Sequence, residues 1–131
     1  MNLSPDEKKA IVALRRQKAA ASMREAQDVA HLGHWTLAAN RLYYACYYMA
    51  SALLIDKGFK ARSHAGVIHL IGLHFITKDL LSHDFGRLFS RLFEMRQSGD
   101  YGDIFDFTEE DVLPYFQRTA DFIKAMEEML S

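Results

Sequence analysis

Residues 35–57 read WTLAANRLYYACYYMASALLIDK, a run without glycine or proline. Ala38, Leu42, Ala45, Met49 and Ala52 recur at alternating four- and three-residue steps, Tyr44, Tyr48 and Ile55 form a second stripe, and Tyr43, Tyr47 and Leu54 a third. This spacing predicts a helix about 35 Å long, at 1.5 Å per residue, that ends before Gly58. A helix apolar nearly all round must be covered nearly all round. In a chain of 131 residues, covering every side of one helix calls for a second subunit. The segment is therefore expected to be both the centre of the core and a contact of a homodimer.

Upstream, Ser4-Pro5-Asp6-Glu7 combines three helix-start signals: a side-chain cap, a proline suited to the first turn and a glutamate able to close a capping box. That helix is expected to reach Leu32, with Gly33 as a left-handed terminator. Downstream, Ser63 caps a third helix from His64 to about Phe75, and Thr77 to Leu81 form a connector. Ser82 caps a fourth helix that Gly99 is expected to stop. The stretch DYGDIFDF, residues 100–107, reads as an apolar-rich loop tied down against the bundle. Thr108 and Asp111 open a last helix, which Pro114 should kink near its start. The expectation is an all-α, up-and-down bundle of four to five helices forming a single domain over residues 1–131.

Composition narrows the functional classes. Sixteen Lys and Arg against seventeen Asp and Glu give a net charge of -1, which argues against coating nucleic acid by bulk charge but allows a local basic cleft. The single cysteine, Cys46, cannot form an intrachain disulfide, so a reducing cytoplasmic setting is expected. The N-terminus lacks the apolar core of a signal peptide, and no stretch approaches the roughly 20 apolar residues of a membrane span.

Six histidines raise the question of a metal. His64, His69 and His74 are five residues apart, about 140° of helix per step, so they cannot share a face. No HExxH, phosphate-loop or nucleophile-elbow pattern occurs, and neither a metal nor a cofactor is expected. In simple up-and-down topology, Lys57, Lys60, Arg62, His64, Arg96, Asp100 and Tyr101 gather at one pole. A guanidinium, an imidazole and a phenol together suit phosphate binding and proton transfer. The plainer reading is that Arg96 and Asp100 form an i, i+4 ion pair closing a helix.

The ordered set Ala39-Asn40-Arg41-Leu42-Tyr43-Tyr44-Ala45, Ala52-Leu53-Leu54 with Lys57-Gly58, Ser63-His64-Ala65-Gly66-Val67, and Arg96-Gln97 with Asp100-Tyr101 resembles the HEPN domains. It is closest in pattern to the small stand-alone prokaryotic HEPN family, from about residue 20 to 127. The resemblance implies a helical-bundle homodimer with a cleft between protomers. In related toxin systems that cleft cuts RNA without metal, and a minimal nucleotidyltransferase serves as antitoxin. The catalytic signature is Arg, four to six residues, then His. Here Arg96 and Gln97 match its start, but Tyr101, preceded by Asp100, stands where the histidine belongs. The spacing Arg24-x6-His31 also fits, but on the first helix, where it is coincidental. A tyrosine with a pKa near 10 is a poor base at neutral pH.

Three readings stay open. A binding module would hold RNA or a nucleotide with Asn40, Arg41, Arg96, Gln97 and Asp100, and with little or no catalysis. A metal-independent endoribonuclease toxin would use Arg96, His64 and Tyr101 as catalytic groups, His64 replacing the absent histidine. A helical interaction scaffold would use Arg41 and the tyrosines only to hold the core.

Overall fold

The computed structural model describes residues 2–101 and 106–131, with the backbone alone for 99–101. The helices are α1 (Pro5–His31), α2 (Trp35–Asp56), α3 (His64–Ile71), α4 (His83–Tyr101), α5 (Glu109–Val112) and α6 (Pro114–Glu127), and α3 runs on into a wide π turn, Gly72–Ile76. No strand occurs among the described residues, and none of the described helices is long and apolar enough to cross a membrane.

Local chemistry sets most boundaries. Ser4 Oγ accepts from the Glu7 N–H at 3.1 Å while Glu7 Oε1 accepts from the Ser4 N–H at 3.0 Å, closing the capping box. Gly33, at φ +82°, ends α1: its N–H reaches the Ala30 carbonyl and the His34 N–H reaches the Val29 carbonyl, both at 2.9 Å. Gly58, at φ +85°, repeats this double closure after α2, onto Ile55 and Leu54. Both are positions where a left-handed residue satisfies the last carbonyls, and glycine adopts it without a Cβ penalty. Ser82 Oγ accepts from the Asp84 N–H at 3.2 Å at the start of α4, and Thr108 with Asp111 forms a second capping box. Pro114 cannot donate to the preceding turn, so the last helix breaks into α5 and α6 at Leu113.

One expected boundary is overturned. Gly99 does not stop α4, which continues to Tyr101. A helix tolerates an interior glycine at about 1 kcal/mol relative to alanine. Asp100 and Tyr101 are therefore helical, not loop; residues 102–105 of the expected loop lie outside the described residues. Its far end is tied down: Thr36 Oγ1 donates to Asp106 Oδ1 at 3.0 Å and accepts from the Phe107 N–H at 2.9 Å.

The long helices α1, α2, α4 and α6 alternate in direction around α2. Among residues 35–56 only Leu37 is exposed. Small residues on α1, Ala19, Ser22 and Ala26, are buried and let it approach α2 closely. Phe85 and Phe89 of α4 meet Phe122 of α6 edge-on. Within one protomer 11 of the 22 residues of α2 are buried, while Tyr44, Tyr47 and Tyr48 stay half-buried.

Residues 57–63 carry the chain back alongside α2, so α3 starts beside Tyr43 and Tyr47 and descends to where His74 stacks on Phe59, 4.1 Å between centroids. The foot of the bundle is closed by Ser131, whose N–H and hydroxyl both donate to Asp56 Oδ2 at 3.0 and 3.1 Å. Phe122 is fully buried; Phe122→Ala should cost about 3–5 kcal/mol in urea unfolding. Leu37→Ala, at an exposed site, should stay within about 0.5 kcal/mol.

Candidate functional site

Helix α2 carries Tyr43, Tyr44, Tyr47 and Tyr48, a spacing that puts two adjacent columns of rings on one side. Tyr43 is fully buried, against Phe89 and Phe93 of α4 at 5.9 and 5.7 Å between centroids. Its hydroxyl lies 2.7 Å from His64 Nδ1. The His64 ring stacks on Tyr47 at 4.2 Å and meets Tyr44 edge-on at 5.9 Å. From α4, the Arg96 guanidinium sits over the same rings, 5.6 Å from the Tyr43 centroid and 5.4 Å from that of Tyr44. Arg96 and His64 therefore share one aromatic platform, although they lie far apart in sequence.

The electrostatics of this group are linked. Burial pushes the Tyr43 phenol well above its ordinary range, against the opposing pull of Arg96. Burial, then the Arg96 charge, lowers the pKa of His64. At neutral pH the phenol is protonated and the imidazole neutral. The bond runs in either direction with the tautomer; with Nδ1 unprotonated, that nitrogen accepts from the Tyr43 O–H. The ring proton of His64 then resides on Nε2.

Arg96 also lines a cavity of about 560 Å³ with His34, Trp35, Thr36, Asn40 and Asp106. Asn40 Oδ1 accepts from Arg41 Nε and Nη2 at 3.0 and 2.7 Å, and its Nδ2 has no partner among the described residues. Arg41 is held further by the Tyr44 ring, 4.9 Å away, and by Glu25 at 3.5 Å. These contacts hold its guanidinium against Asn40 and Tyr44. Asp106 places one carboxylate in a cavity otherwise rich in donors.

Not every residue assigned to the pole arrives there. Arg96, His64, Asn40 and Arg41 come together around Tyr43 and Tyr44. Gln97 is exposed on α4, outside the lining of this cavity. Asp100 and Tyr101 lie on the last turn of α4, and their side chains lie outside the described residues. Lys57 pairs with Asp56 at the opposite end, and Lys60 and Arg62 line a different cavity. Residues 57–63 are the reason: they return α3 to the middle of α2 instead of starting it at the foot. The tyrosine platform, Trp35 and the Thr36–Asp106 clasp were not among the candidates; only the doubled Tyr-Tyr of YYACYY hinted at the first. Cys46 is buried, which pushes its thiol up and away from reactivity. Among the described residues no three His, Cys, Asp or Glu side chains could jointly hold a metal.

Comparison with known proteins gives a consistent set of similarities. Residues 12–129 match the family model of the HEPN domain. A UPF0332 protein of Thermotoga maritima is 31% identical over 125 residues, 95% of each chain. Two Methanocaldococcus jannaschii proteins named as candidate toxins are also similar. One is 36% identical over 61 residues, 47% of this chain and 46% of its own. The other is 24% identical over 95 residues, 72% and 65%.

Because the fold holds His64 neutral, the unfolded chain takes up a proton near pH 6.5 that the folded chain accepts only at lower pH. The contribution of His64 to stability is thus intact above that value and lost as the pH falls below it. Wild-type protein should lose melting temperature between about pH 7.5 and 5.5, and His64→Gln, whose amide oxygen can still accept from Tyr43, should lose less.

Proposed function

Because the chain belongs to the HEPN domain family, we propose that it acts as a homodimer holding RNA or a nucleotide against the Arg96–Tyr43–His64 platform, with weak or no cleavage. The 2.7 Å contact between the Tyr43 hydroxyl and His64 Nδ1 carries this reading, in the tautomer in which the hydroxyl donates. Metal-free cleavage of RNA needs a base for the 2′-hydroxyl and an acid for the leaving oxygen. A His64 with its proton on Nε2 can donate to a phosphate oxygen, but that nitrogen cannot accept a proton. Arg96 offers a second, charged donor fork, and Asn40 offers its amide N–H groups. Donors that grip phosphate without a general base forgo about 100- to 10,000-fold in rate.

The dimer rests on the family resemblance and on the apolar rim of the cavity. Leu37 lines it and is 47% exposed, and Leu32, at the turn before it, is 72% exposed. A second copy seated there covers both leucines and turns the open cavity into a cleft.

A metal-independent ribonuclease toxin is the second reading. It is favoured by the candidate-toxin names of two relatives and by the other tautomer of the neutral imidazole, in which Nδ1 donates to Tyr43 and Nε2 accepts a proton beside Arg96. A minimal nucleotidyltransferase antitoxin would be its partner.

Arg96→Ala should weaken binding of a labelled RNA or of AMP by about 10- to 100-fold, the loss of one charge-assisted contact. Total RNA incubated with the protein in EDTA should stay intact. EDTA-resistant cleavage that disappears in both Arg96→Ala and His64→Ala would replace the binding reading with the ribonuclease. Light scattering after size exclusion should give twice 15.0 kDa; a monomer at micromolar concentration would remove the intersubunit cleft.

A further inference from the structure

On the side of α2 where residues 57–63 return, a second cavity of about 540 Å³ opens between α1, α2 and the returning segment. Lys8, Arg15, Lys60 and Arg62 line it, together with Tyr47 and Phe59. Among the described residues no carboxylate lines it. Asp56, at the end of α2, is engaged by Ser131 and Lys57, and its backbone carbonyl accepts from Lys8 at 3.4 Å. Arg15 and Arg62 have no ion-pair partner among the described residues. In a chain of net charge -1, this is a local concentration of positive charge, not a general excess.

Tyr47 connects this groove to the site already described. It lines the groove, and it stacks on His64 at 4.2 Å. From Tyr43 to Ile55 the helix rises about 18 Å, so cations and ring faces succeed one another along a path several nucleotides long. Ring faces take unstacked bases, and flanking cations take the phosphates between them; this combination suits a single strand and not a stacked duplex.

We infer that the Lys8–Arg15–Lys60–Arg62 groove is a phosphate track for single-stranded RNA, leading the strand past Tyr47 to or from the Arg96–His64 platform. The inference rests on the reading that this platform holds RNA, and it adds the strandedness of the ligand and its path over the surface.

The test uses the full chain, a labelled single-stranded RNA of about 12 nucleotides, its duplex, and AMP, within the usual range of single-strand site sizes. Arg15→Gln/Arg62→Gln should weaken the single strand at least tenfold and leave AMP affinity unchanged. It should also flatten the salt dependence by about 1.4, two contacts at ~0.7 each. Arg96→Ala should weaken both ligands, and the duplex should bind less tightly than the single strand. Arg15→Glu/Arg62→Glu should deepen the loss, with melting curves showing that each variant folds. Unchanged single-strand affinity in folded double variants, with Arg96→Ala still defective, would overturn the track and leave the platform standing. A duplex that binds as tightly as the single strand would overturn the strandedness. Wild-type protein that binds neither RNA nor AMP would overturn the platform and the track together.

Discussion

The structure depends on one demand: α2 presents apolar or aromatic side chains around almost its whole circumference, and every face needs a neighbour. α1, α4 and α6 cover most of it, with small residues on α1 allowing close approach. The remaining face is covered because residues 57–63 double back and lay α3 beside Tyr43 and Tyr47. That return meets a packing need, and it also delivers His64 to the middle of α2. The same constraint that completes the core therefore builds the site.

Tyr43 is where core and site meet. Its ring is fully buried among phenylalanines of α4, and its one polar atom must find a partner, since an unsatisfied buried hydroxyl costs about 1–3 kcal/mol. His64 Nδ1 supplies that partner. The direction of this bond goes with the tautomer of the imidazole, and with it the difference between a ring that donates to phosphate and one that withdraws a proton. The nearby guanidinium of Arg96 favours the same neutral state.

What could be read from the sequence was local. Ser4 with Glu7, Gly33, Gly58, Ser82 and Thr108 with Asp111 act through hydrogen bonds to backbone a few residues away, so their effects are visible in short strings. Gly99 misled because glycine is a terminator only where the next turn cannot continue, and α4 continues. The direction of α3 is set by docking against α2, which no capping signal encodes, and this moved Lys57, Lys60 and Arg62 away from Arg96. Arg96, His64, Asn40 and Arg41 could be picked out by residue type and by the family resemblance. Their meeting on Tyr43 and Tyr44 could not, because it joins positions on α2, α3 and α4 through packing alone.

Trp35 opens α2 and lines the same cavity as Arg96, and it is the chain's one tryptophan. Indole emission from this protein therefore arises from a single place, next to the guanidinium. Any molecule entering there changes the polarity around that fluorophore or quenches it by contact, so occupancy of the cavity has an intrinsic optical signal without a label.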